Sequence, residues 1–218
     1  TEYSFKVKAY TRDVESVAQF GVASDAYNVS TLSTQVEMTT YSNTTTAIRV
    51  NWEEIAGVEG YRVYMLVNGS WVNKGTVYGS DTTTLRIDSL TAGEVYEFYV
   101  RAFLRNDEGT AIFQTPSEIM TTQTDLAAAK ITSASETSDA IRLNWNEVNG
   151  ATGYKIYIYE NGSWKTYATL YEGDVLTYRM SGFKANTTYK FKVCAFSKET
   201  GSTVWGSESS VYSVTTDK

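Results

Sequence analysis

The side chains able to do chemistry are few and poorly spaced for it. The chain has 218 residues, no histidine and one cysteine, Cys194. Without histidine no Ser–His or Cys–His pair can form, and the usual histidine and cysteine zinc sets are excluded. Glu53 and Glu54 are an adjacent carboxylate pair of the residue type that cleaves glycosides. Neighbours on a strand face opposite sides, however, so the two carboxyls do not converge on one bond. Asp81 and Asp107-Glu108 are loop carboxylates able to ligate calcium, but they lack EF-hand spacing and read as polar turns. Phosphate loops, dinucleotide fingerprints and Gly-x-Ser-x-Gly are absent from the sequence. The pattern predicts no catalysis, no cofactor and no resident metal.

The remaining chemistry is aromatic: 17 Tyr, 8 Phe and 5 Trp make up 14% of the chain. Net charge is −6, with 11 acids against 6 bases over residues 36–124. No basic patch interleaved with aromatics stands out, so nucleic acid is a poor partner. No apolar run is long enough to span a bilayer. No leader-type segment opens the chain, which begins inside a strand-like run, as a chain cut at a chosen boundary would. One cysteine excludes an internal disulfide.

The aromatics need elements to position them, and a repeat supplies those. Ala47-Ile48-Arg49-Val50-Asn51-Trp52 recurs as Ala140-Ile141-Arg142-Leu143-Asn144-Trp145. Gly60-Tyr61-Arg62-Val63-Tyr64 recurs as Gly153-Tyr154-Lys155-Ile156-Tyr157, and Asn68-Gly69-Ser70-Trp71 as Asn161-Gly162-Ser163-Trp164. Tyr96-Glu97-Phe98-Tyr99-Val100 recurs as Tyr189-Lys190-Phe191-Lys192-Val193, and every pair is 93 positions apart. The same offset reaches back: Tyr3 to Tyr10 match Tyr96 to Phe103, Ser24 matches Ser117 and Thr31 matches Thr124. The chain therefore divides into residues 1–33, the last two strands of a first copy, and complete copies at 34–125 and 126–218. Each copy reads as short strands. Ile48, Val50 and Trp52 alternate with polar residues, as do Tyr61, Val63 and Met65. Asn68-Gly69 is a two-residue hairpin turn, because both residues tolerate positive φ. Leu85, Ile87 and Leu90 follow, then Tyr96 to Ala102, then a Thr-rich strand around Ile119 to Thr122. Short alternating strands without helical periodicity predict an all-β, immunoglobulin-like sandwich for each complete copy.

These residues resemble the fibronectin type III family. The resemblance lies in the Trp that ends the second strand (Trp52, Trp145), the Gly-Tyr third strand (Tyr61, Tyr154), and a Leu or Phe (Leu90, Phe183) six residues before the Tyr-x-Phe-x-Val run at Tyr96 and Tyr189. It implies that Trp52, Tyr61, Trp145 and Tyr154 fill the cores and that Tyr3, Tyr96 and Tyr189 are tyrosine corners holding a crossing loop. With Pro116 as its one proline and many Thr, Ser and Asn, the chain is similar to bacterial members. That implies an extracellular or cell-surface spacer joining other domains of a secreted protein, the alternatives being a binding module or a fragment of an adhesin whose partner is another protein. The loop used for cell adhesion in animal members reads Arg105-Asn106-Asp107-Glu108-Gly109, with counterparts Arg12-Asp13-Val14 and Lys198-Glu199-Thr200-Gly201, so no Arg-Gly-Asp carries over.

Strand parity then sorts the aromatics. With Tyr61, Val63 and Met65 inward, Tyr64 and Leu66 face out, as do Tyr99 and Phe103, and Trp71 lies just past the turn. The last copy places Tyr157, Tyr159, Trp164 and Phe196 likewise. Such faces bind polysaccharide or protein by stacking, or stabilise the sheet by cross-strand pairing. Cys194 falls on the same outer face, as a free thiol with Lys192 beside it. Sequons at Asn28, Asn43, Asn68, Asn161 and Asn186 are glycan acceptors in a secretory pathway or turn chemistry. The links Thr31-Leu32-Ser33 and Thr124-Asp125-Leu126 are short and favour an extended rod. Tyr3, Phe5, Val7 and Ala9 lack their own facing sheet, so the first segment is expected to pack on a partner surface such as a second copy of the chain.

Overall fold

Period-two alternation puts Ile48, Val50 and Trp52 on one side of a strand and Arg49 and Asn51 on the other, and burial follows that pattern. The computed structural model describes residues 2–30, 35–106 and 108–218. Thr31-Leu32-Ser33 and Asp107 lie outside the described residues.

The first segment holds β1 (Glu2–Phe5), β2 (Lys8–Arg12), β3 (Ala18–Ala23) and β4 (Tyr27–Ser30). β1 pairs antiparallel with β4, and β2 with β3. The middle module holds β5 (Met38–Asn43), β6 (Ile48–Trp52), β7 (Gly60–Val67), β8 (Ser70–Tyr78), β9 (Thr84–Ile87), β10 (Val95–Arg105), β11 (Ala111–Phe113) and β12 (Met120–Gln123). One sheet runs β5-β6-β9. The other runs β11-β10-β7-β8, with β12 also on β10. The last module repeats this plan with β13 (Ile131–Glu136), β14 (Ala140–Trp145), β15 (Gly153–Glu160), β16 (Ser163–Leu170), β17 (Thr177–Ser181), β18 (Thr188–Ser197), β19 (Val204–Trp205) and β20 (Tyr212–Thr215). Its sheets are β13-β14-β17 and β16-β15-β18-β19, with β20 on β18.

Each complete module closes a core between its two sheets. Trp52 packs on Tyr61 at 5.3 Å between ring centroids, and Trp145 on Tyr154 at 5.5 Å, and all four are buried. The Tyr61 hydroxyl accepts from the Ile55 amide at 2.7 Å and donates to the Ser80 carbonyl at 3.0 Å. Buried phenols are held in this way because an unpaired hydroxyl there is costly. Tyr96 accepts from the Thr91 amide, and Tyr189 from the Lys184 amide, each at 2.9 Å. Each thus ties the crossing loop five residues upstream, as a tyrosine corner does. Asn68-Gly69 and Asn161-Gly162 all have positive φ and close two-residue hairpins between Val67 and Ser70 and between Glu160 and Ser163.

The last strand of each copy is split by one recurring device. Ser117 accepts from the Val100 amide through its hydroxyl and donates its own amide to the Val100 carbonyl. Ser209 does the same to Val193, and Ser24 to Val7. Ser24 and Ser117 are 93 apart but Ser117 and Ser209 only 92. The last module's loop is therefore one residue shorter, and beyond it the register between the copies shifts.

The first segment stands apart in burial. Phe5 and Val7 are 57% and 74% exposed, while their counterparts Phe98 and Val100 are fully buried.

Candidate functional site

Two features merit a functional reading: the seam between the complete modules and the aromatic outer sheets.

The seam is made by loops that the sandwich fold already fixes. The Thr91–Tyr96 corner holds the turn carrying Gly93, and the turn between β14 and β15 carries Asn149-Gly150. Gly93 and Gly150 have φ of 73° and 71°, in the left-handed region that glycine enters without strain. The two turns meet backbone to backbone. A Cβ at Gly93 would lie 2.0 Å from the Asn149 carbonyl oxygen, and one at Gly150 1.9 Å from the Gly93 oxygen. Buried Gln123, at the end of β12, donates its amide to the Gly93 carbonyl at 2.8 Å and the Gly150 carbonyl at 3.3 Å. Asn149 donates to the Ala92 carbonyl at 3.0 Å and to Glu94 Oε1 at 2.8 Å.

The link between the modules is pinned residue by residue. The Thr124 hydroxyl donates to the Thr91 carbonyl at 2.6 Å. Asp125 donates its amide to Thr44 and accepts from the Gly93 amide, and burial pushes its carboxyl up from the ordinary range. Leu126 is fully buried and belongs to the last module's core. Gly206 packs so closely on the Leu126–Ala127 backbone that a Cβ there would lie 2.8 Å from the Ala127 oxygen. Asn43 donates its side-chain amide to the Gln123 carbonyl and to Thr122 Oγ1. A glycan on this sequon would displace these contacts within the middle module.

On the outer sheet of the middle module, Tyr99 stacks on Tyr64 at 4.7 Å and meets Trp71 edge-on at 4.6 Å. All three are half-buried, and burial raises the Tyr99 phenol. The last module places Tyr159 against Trp164 at 5.2 Å. There Lys192 occupies the position of Tyr99, with its Nζ 4.5 Å from the Trp164 ring centroid and 2.8 Å from Glu208. Half-buried Tyr157 lies beside Lys155, and burial raises its phenol.

Two of the expected ligand-facing residues and the thiol require correction. Phe103 and Phe196 are buried, not open to a ligand. Each lies over a strand glycine, Gly60 or Gly153, whose missing side chain leaves the ring its seat. Tyr78 and Phe113 then cover Phe103, and Tyr171 and Trp205 cover Phe196. Cys194 is also buried, although it points outward. Its Sγ donates to the Gly206 carbonyl at 3.2 Å. Desolvation, reinforced by Glu208, pushes the thiol up to about 11 and outweighs the lowering by Lys155. Lys192 does not activate it, being engaged with Glu208. Of the carboxylates, Glu54 accepts from the Ser80 hydroxyl at 2.9 Å. No group of three or more metal-ligating side chains gathers among the described residues, and Asp107 is not among those. No helix of the described residues is long and apolar enough to cross a membrane.

The fibronectin type III domain family matches residues 33–119 and 127–212, and the chain belongs to that family. Such domains are generally non-catalytic and typically extracellular. Over 67 residues, 31% of this chain, it is 34% identical to the Kelch domain-containing protein SSO1033 of Saccharolobus solfataricus, and that stretch spans 9% of the relative. Among solved structures, the FN1–FN3 domains of chicken CNTN1 align at 16% identity and TM-score 0.43, over 99% of this chain and 76% of that one. The two fibronectin type III domain segment of chicken tenascin aligns at 16% identity and TM-score 0.46, over 84% and 97%.

Proposed function

We propose that the chain is a non-catalytic spacer that fixes the distance and angle between working parts of a larger secreted or cell-surface protein. The observation that carries this reading is the direct backbone contact of Gly93 with Gly150, locked by Gln123. A flexible tether needs no such seam, and domains joined by a polar linker move freely by default. Here Thr124 and Asp125 are bound by the module before them and Leu126 by the module after. That leaves no free residue to act as a hinge.

Solution scattering of Gly150→Val tests the reading. A valine side chain has no room in the seam, so the maximum dimension and the scattering profile shift. Buried Trp145 keeps its native fluorescence, since the strain of a side chain at positive φ costs only about 1–2 kcal/mol. Wild-type scattering that requires a broad range of inter-module angles, with the variant indistinguishable from it, would sink the spacer reading.

A further inference from the structure

The covered Phe on its glycine recurs as a three-ring corner. In the last module, Phe196 lies 5.8 Å from Tyr171 and 5.3 Å from Trp205. Above that floor, Tyr171 and Trp205 are 69% and 44% exposed. Lys198 Nζ sits 5.2 Å from the Tyr171 ring centroid and Lys155 Nζ 5.3 Å from that of Trp205. Together with Thr169 and Thr203 these residues line a shallow cavity of about 190 Å³, below the ~300–1,000 Å³ of sites that enclose drug-sized ligands. It has room for one ring.

The middle module carries the same corner with its charge used up. Phe103 is flanked there by Tyr78 and Phe113. Glu59 binds Arg105 at 3.3 Å and also accepts the Arg105 amide at 3.0 Å. Arg62 and Arg101 both cover the Phe113 ring. In the last module Thr152 stands where Glu59 does. It keeps the backbone bond, accepting the Lys198 amide at 3.1 Å, and supplies no carboxylate. Glu208, which acts electrostatically on neighbouring Cys194, is occupied by Lys192. No ion pair neutralises Lys155 or Lys198 among the described residues. The last corner therefore presents two exposed rings, each with an ammonium group over one face that no carboxylate pairs.

We propose that this corner binds a single hexuronate ring of an acidic polysaccharide. The C–H face of the pyranose stacks on Trp205 or Tyr171, and the carboxylate lies between Lys155 and Lys198. A bare phosphate would leave the rings unused, and a neutral sugar the ammonium groups. Every residue of this site belongs to the last module, so it does not rest on the spacer reading, although Thr203 and Trp205 also face Tyr41, Ser42 and Asn43 of the middle module across a neighbouring cavity.

The test is NMR titration of the full chain with a galacturonate trisaccharide, with its fully methyl-esterified form and a glutamate hexapeptide as controls. The Trp205 indole N–H signal shifts on titration, saturating with an affinity on the order of 1 mM for so few contacts. The methyl ester and the peptide bind at least tenfold more weakly. Thr152→Glu, which copies the middle module, and Lys155→Gln with Lys198→Gln each reduce affinity about tenfold or more and leave core signals unmoved. Equal binding of the methyl ester would overturn the anionic requirement, and equal binding of the peptide the sugar class. No shift at Trp205 up to about 10 mM would overturn the site itself.

Discussion

Ionising Cys194 in the folded chain puts a thiolate against the Gly206 backbone that covers it, away from water. Its folded pKa, about 11, lies above the ~8.5 of an unfolded thiol. The folded state therefore holds this proton over a window where the unfolded state has lost it, and stability falls as pH rises from about 8.5 towards 11. Cys194→Ser should lack that part of the slope in pH-dependent denaturant unfolding. A thiol reagent at pH 8 should label Cys194 only once the chain is unfolded, and rapid native labelling would contradict the burial. Trp145 belongs to the same scale. Truncating it to Ala opens the last core and should cost about 3–5 kcal/mol. Tyr189→Phe removes only the bond to the Lys184 amide and should cost about 0.5–1.5 kcal/mol. Chemical denaturation separates the two.

At the level of elements, the hairpins and the split last strand carry the plan. Asn161-Gly162 closes β15 to β16 with both residues at positive φ, and Gly162 has open space where a side chain would go. Gly162→Ala therefore tests backbone conformation without a clash. It should destabilise the last module by about 1–2 kcal/mol, read from its unfolding midpoint. Strands of this kind were legible because alternation and turn chemistry are local. Parity also gave the correct outward direction for Phe103, Phe196 and Cys194. It could not show their cover, because Tyr78 and Trp205 arrive from other strands, and Tyr171 from just past the end of one, in a register that only the folded sheet defines. Trp205 was hidden for a further reason. Offset by 93 it aligns with Ile112, whereas the one-residue shorter loop makes Phe113 its true partner, and both pair opposite the covered Phe.

On the scale of the whole molecule, the repeat explains the modules and not what joins them. Gly93 has Asn186 as its counterpart, 93 residues on. No comparison between copies therefore singles it out, and a contact between unlike loops leaves no periodic trace. The first segment makes the opposite point. Its Phe5 and Val7 were legible as core residues by their copies, yet they stand exposed. The complete modules close their cores without them, so a chain lacking residues 1–33 should unfold at nearly the same temperature as the full chain by calorimetry. A large drop would mean that the segment stabilises the middle module.

The central claim is a fixed seam, and residual dipolar couplings of the wild-type chain in a weakly aligning medium test it most directly. If Gly93, Gly150 and Gln123 lock the modules, couplings from 36–124 and 126–216 fit one alignment tensor with common axes and magnitude. Two tensors of different magnitude, with the modules averaging independently, would contradict it.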